Sequence, residues 1–121
     1  MRLQHVSVVI ERGRDDEARA FYGGLLGLEE RPVPPKLPPD DLIWFRVGGD
    51  DLELHLVKGD EVRNDLQHFC LVTDDLEAIR ARLEEAGVET RDTTEIVGRP
   101  RFFCHDPFGN LVELTHIERY E

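Results

Sequence analysis

Two histidines and two glutamates stand at matching places in the two halves of this sequence, and together they could hold a metal ion. Leu3-Gln4-His5-Val6-Ser7-Val8-Val9 recurs as Leu66-Gln67-His68-Phe69-Cys70-Leu71-Val72, 63 residues on. Gly49-x-x-x-Glu53-Leu54 recurs as Gly109-x-x-x-Glu113-Leu114, 60 residues on. The order is the same in both halves, as expected of a duplicated half-domain. Imidazole with carboxylate is a borderline donor set, suited to Zn, Ni, Mn, Co or Fe(II). If the halves pack about a pseudo-two-fold axis, His5, Glu53, His68 and Glu113 converge. The second match places Glu53 level with Glu113. His55 lies two residues beyond Glu53 on the same strand face, so it is the rival for the fourth position. The alternative for each glutamate is the solvent face of an alternating strand. A carboxylate that points inward needs a partner, because burying it unpaired is costly.

The elements that must carry these residues follow from the hydrophobic period. Residues 3–10 read as a strand, with His5, Ser7 and Val9 on one face and Val6, Val8 and Ile10 on the other. Residues 15–26 place Ala18, Phe21, Tyr22 and Leu25 on one face of a helix that stops at Gly27. Residues 29–33 read as a short strand. Five of the seven prolines fall between Pro32 and Pro39, so that stretch is a loop. Residues 42–47 and 51–57 read as a hairpin around Gly48-Gly49-Asp50. After a polar connector over 59–65 the order repeats. Residues 66–73 form a strand, and Asp74 with Glu77 reads as a capping box opening a helix that ends at Gly87. Residues 88–92 form a strand, 93–100 a loop, and 101–105 and 111–117 a hairpin around Asp106-Pro107-Phe108-Gly109-Asn110. Arg46 and Arg101 lie on strands that could border a pocket and meet an anionic substrate. Trp44, Phe102, Phe103 and Phe108 read as core or pocket wall, with core favoured. His105 and His116 read as surface residues.

The chain has 121 residues, which is the size of one domain. Its 15 Lys and Arg against 26 Asp and Glu give a net charge of −11, which argues against neutralising nucleic-acid phosphates. No apolar run approaches the ~20 residues of a membrane span, and the charged start is unlike a signal peptide. A cytoplasmic protein is therefore expected. Cys70 and Cys104 form no Cys-x-x-Cys and read as buried reduced thiols. The single serine is in no Gly-x-Ser-x-Gly elbow, and no phosphate-binding Gly-x-x-x-x-Gly-Lys occurs.

Further motifs fall on the same frame: Phe21-Tyr22-x-x-x-Leu26-Gly27-Leu28, Val72-x-Asp74-Asp75-Leu76, Glu85-Ala86-Gly87-Val88, and Phe103-x-x-Asp106-Pro107-x-Gly109-Asn110-x-x-Glu113-Leu114. With the two Leu-Gln-His strands they cover essentially the whole chain, which resembles the vicinal oxygen chelate superfamily of glyoxalase, bleomycin-resistance and extradiol dioxygenase proteins. The resemblance implies an α+β fold. Paired βαβββ modules, 1–58 and 66–121 of a single domain, would form an open, cupped mixed-sheet barrel with helices outside. It implies His5, His68 and Glu113 as ligands of a divalent metal, with a fourth from the last strand of module one. The implied function is that of a metal-dependent lyase or isomerase. It would chelate vicinal oxygens of a small substrate and stabilise an enediolate-like species, with Glu113 or Glu53 as base. The alternatives are a non-enzymatic ligand-binding protein of the bleomycin-resistance kind, to which the acidic charge is suited, and an Fe(II) dioxygenase. A homodimer is implied, since relatives commonly cover the open flank of such a sheet with a second subunit. The approach to His68 lacks the Gly-rich sequence of glyoxalase I, and no glutathione-binding sequence is evident between Val88 and Arg101.

Overall fold

The computed structural model describes residues 2–49, 51–60 and 66–119. Asp50 of the expected hairpin turn and residues 61–65 of the expected connector lie outside them. The chain divides into two compact units, Met1–Val62 and Arg63–Glu121.

Unit one runs β1 (His5–Ile10), α1 (Asp15–Ala18) continuing as a π-helix over Arg19–Leu25, β2 (Glu29–Arg31), a 3-10 turn at Pro39–Asp41, β3 (Leu42–Arg46) and β4 (Glu53–Lys58). Its sheet has the order β1-β4-β3-β2, with β1 parallel to β4 and the other neighbours antiparallel. The helix was expected to be regular. Instead the chain widens where Gly23 and Gly24 lower helix propensity, and Leu26 N bonds Phe21 O at 3.0 Å, five residues back. Phe21 and Tyr22 are both buried, as is the apolar row of Ile43, Phe45, Leu54 and Leu56. Tyr22 meets Phe45 at 5.9 Å between ring centroids. Gly27, at φ 74°, ends the helix in the left-handed region that glycine adopts without strain.

Unit two runs β5 (His68–Val72), α2 (Leu76–Glu85), β6 (Thr90–Arg91), β7 (Arg101–His105) and β8 (Leu111–Thr115). Its order, β5-β8-β7-β6, repeats that of unit one with the same parallel pair. The expected capping box does not form. Asp75 is the N-cap without a side-chain bond, and Thr73 Oγ1 accepts from Asp75 N at 3.1 Å instead. The turn before β8 is tied by Asp106, whose Oδ1 accepts from Phe108 N and Asn110 N, each at 2.8 Å. The fold is thus α+β, with two four-stranded mixed sheets that are not closed into a barrel.

Candidate metal centre

In unit one the strand register sets a polar row on one face of the sheet. His5 lies opposite Glu53 and Ser7 opposite His55. On the other side of β4, Arg46 faces Glu53 and Trp44 faces His55. His55 is buried between two rings, 4.2 Å from His5 and 3.8 Å from Trp44, the latter nearly coplanar in orientation at 2°. Trp44, favoured as core, is half-buried on this polar face, and its indole N–H is buried without an acceptor among the described residues.

Glu53 is buried with both oxygens engaged. His55 Nε2 and Gln4 Nε2 donate to Oε1 at 3.1 and 3.2 Å, and Arg31 Nη1 lies 2.8 Å from Oε2. Burial is the largest single influence on this carboxyl and opposes its ionisation. The bonds from His55 and Gln4 and the charge of Arg31 together outweigh it and hold the pKa below the ordinary carboxylate range. Arg31 escaped the sequence reading because it reaches across from β2. Gln4 was visible there only as part of the repeat.

In unit two, β5 sets Cys70 opposite Glu113, and β7 sets Phe103 opposite it from the other side. His68 Nε2 lies 3.2 Å from Glu113 Oε1, and Arg101 Nη1 lies 3.2 Å from Oε2. Phe103 stands edge-on to the His68 ring at 5.1 Å. Cys70 was expected to be buried, but its residue is exposed, and only Cys104 is buried. Burial of the thiol group, followed by the charge of Glu113 and a hydrogen bond with it, pushes the Cys70 pKa up to about 12.

The register corrects the internal alignment. His5 pairs with Glu53, whereas its counterpart His68 pairs with Leu111, and Glu113 falls opposite Cys70, the counterpart of Ser7. The residue level with Glu113 is therefore His55, two positions from Glu53. The cause includes a loop of unequal length. Val47 and Leu52 close one hairpin at 2.9 Å, while Asp106 and Asn110, with one residue fewer between them, close the other.

The ring protons can be assigned from their partners, since carbonyl and carboxylate oxygens only accept. Gln4 Nε2 donates to the Asp51 carbonyl as well as to Glu53, so its Oε1 faces His5 Nδ1 at 2.8 Å. His5 Nδ1 then carries the proton and Nε2 keeps a lone pair. His68 Nδ1 donates to the Leu66 carbonyl at 3.1 Å, and its Nε2 lies 3.2 Å from Glu113 Oε1, a position that takes either a second ring proton or a metal ion. His55 donates from Nε2 to Glu53 and keeps its lone pair at Nδ1. A metal-binding histidine commonly donates its other N–H to a carbonyl or carboxylate in this way. The donor chemistry therefore fits a divalent ion. Among the described residues, no group of three or more His, Cys, Asp or Glu side chains is placed to hold one, and each unit offers a histidine–carboxylate pair.

The family description Glyoxalase/Bleomycin resistance protein/Dioxygenase superfamily matches residues 2–114. The chain belongs to that superfamily. A glyoxalase-family protein from Bacillus anthracis is 30% identical, with a TM-score of 0.86 over 97% of this chain and 95% of that one. An antibiotic-binding protein from a Streptomyces species is 23% identical, with a TM-score of 0.73 over 97% and 96%. A lactoylglutathione lyase from Agrobacterium tumefaciens is also 23% identical, with a TM-score of 0.68 over 95% and 92%. At 23% these two likenesses show the fold alone. No curated protein matches the sequence. The superfamily generally uses divalent metal ions, and its members bind small molecules and commonly dimerise. Among the described residues, no helix of this superfamily member is long and apolar enough to cross a membrane.

Proposed function

We propose that this superfamily member is a metal-dependent lyase or isomerase that engages neighbouring oxygens of a small substrate. The observation that supports this best is the proton inventory. Both repeat histidines engage Nδ1 with a fixed acceptor, which leaves Nε2 as the nitrogen open to a metal ion, and His68 Nε2 directly faces a carboxylate. Two acceptors in contact call for a cation, either a second ring proton or a metal ion. The proposed ligands are His5, His68, Glu113 and, by the register, His55. Glu53 then orients His55 in place of binding the ion itself. A bound divalent ion would supply Lewis acidity, lowering the energy of negative charge on a substrate oxygen.

The chain's own residues supply the remaining chemistry. A Glu113 oxygen accepts the substrate proton, and Glu53, already ionised, is the alternative base. Phe103 and Trp44 set ring surface against His68 and His55 on the same faces as these carboxylates. Arg46 and Arg101 are the proposed contacts for an anionic substrate. The working species in this reading is a cytoplasmic homodimer.

Protein stripped and reloaded in turn with Ni, Co, Mn, Fe and Zn should retain close to one ion per complete site. The His5→Ala/His68→Ala double variant should retain none. A second reading, ligand sequestration without chemistry, is favoured by the arginines that already neutralise Glu53 and Glu113. Failure of the wild-type protein to hold any of the five metals would overturn the enzyme reading in favour of sequestration.

A further inference from the structure

Within unit two, Glu113 stands between a histidine and an arginine. Oε1 faces His68 Nε2 and Oε2 faces Arg101 Nη1, both at 3.2 Å. The guanidinium does not grip the carboxylate as a fork. Nη1 alone reaches it, Nη2 donates to the Thr94 carbonyl at 2.9 Å, and Nε is buried without an acceptor among the described residues. Two parallel bonds are the strong form of this pair. One long bond beside an unmet donor is a weak hold, and it leaves the arginine with capacity for another anion. Thr94 belongs to the exposed loop before β7, and the Arg101 Cζ lies 5.7 Å from the Phe103 ring.

Unit one also places a guanidinium on a carboxylate, Arg31 on Glu53 at 2.8 Å. The register does not make it the counterpart of Arg101. Arg31 pairs with Trp44 and Arg91 pairs with Phe103, so Arg91 is its equivalent. The two arginines reach their carboxylates from different strands, so duplication alone does not account for the position of Arg101.

We propose that Arg101 is an exchangeable counter-ion, holding Glu113 until a divalent cation takes that carboxylate, and that the released guanidinium then binds an anionic group of the substrate. The inference rests on the metal reading above. A guanidinium and a dication compete for the same oxygens, so each weakens the hold of the other. An anion that draws Arg101 away must strengthen metal binding, and the coupling is reciprocal. The substrate class narrows to a small molecule with neighbouring oxygens and a carboxylate or similar anionic group.

The test measures Ni²⁺ binding by calorimetry in the wild-type chain and in Arg101→Gln, Arg91→Gln and Glu113→Gln. Arg101→Gln should bind Ni²⁺ about 10-fold tighter or more. Arg91→Gln removes the same charge from an exposed position and should stay within about two-fold of wild type. Propionate, a weak chelator, should tighten Ni²⁺ binding in wild type but not in Arg101→Gln. If the glutamine variant fails to fold, Arg101→Met keeps the stem beside Phe103 and answers the same question. Unchanged or weaker binding in Arg101→Gln overturns the proposal, as does an equal gain in Arg91→Gln. Glu113→Gln separates the two levels: full affinity there means that Glu113 is no ligand, and the metal reading fails whatever Arg101 does. If no chain binds Ni²⁺, both fall.

Discussion

Units one and two share a strand order and a parallel outer pair, yet their polar rows are furnished differently. In unit two a histidine on β5 meets a carboxylate on β8, across strands. In unit one the histidine and carboxylate in contact, His55 and Glu53, are neighbours along β4, and the level of Glu113 is taken by His55. The carboxylate of unit one sits one step along its strand and serves an imidazole. A duplicated backbone thus keeps its register while its donors are redistributed. Matching residue types is a poor guide to equivalence where matching hydrogen-bond partners is a good one.

The largest expected effect separates the two cores. Phe45 and Cys104 occupy equivalent buried positions, one residue beyond Trp44 and Phe103 respectively. Phe45→Ala should cost ~3–5 kcal/mol in urea unfolding, because it removes a ring packed on Tyr22. Cys104→Ala should cost about 1 kcal/mol, for a much smaller loss of volume. Equal losses would mean that the load is not distributed as the packing indicates.

The donor rows come next. His55→Gln should weaken metal binding by ~100-fold, as the loss of a ligand, and Glu53→Gln by about 10-fold, as the loss of its orienting partner. Dialysis against graded Ni²⁺ reads both. The reverse ranking would restore Glu53 as ligand and make the correspondence of His55 with Glu113 one of backbone alone.

The smallest effect is in acid. Glu53 has a folded-state pKa below its ordinary value, so its ionised form stabilises the fold above the unfolded carboxyl pKa of ~4.3. That contribution is lost as pH falls through the lower folded value. Stability should therefore drop below about pH 4.3 in wild type, and the drop should be shallower in Glu53→Gln. Parallel acid limbs would remove Glu53 from the charge network.

Much of this was legible in the amino-acid order because strand period and glycine stops act locally. Each strand was anticipated to within a few residues, and Gly27 and Gly87 end their helices at positive φ. His5 and His68, matched by their shared Leu-Gln-His, each open the first strand of their unit. Glu53 was set level with Glu113 by the shared Gly-x-x-x-Glu, a match two residues out of register, and the one-residue difference between the turns closed by Val47–Leu52 and Asp106–Asn110 supplies part of that offset. Arg31 lies on β2, two strands from β4, and pairs diagonally, so neither parity nor spacing points to it. The capping box was displaced by Thr73, which can bond the next turn through its own hydroxyl.

The most direct measurement is X-ray absorption at the metal edge of the Ni²⁺-loaded chain, which counts imidazoles around the ion. The account predicts three in wild type, from His5, His55 and His68, falling to two in His55→Gln and remaining at three in Glu53→Gln. Two imidazoles in wild type, with no change in His55→Gln, would contradict it.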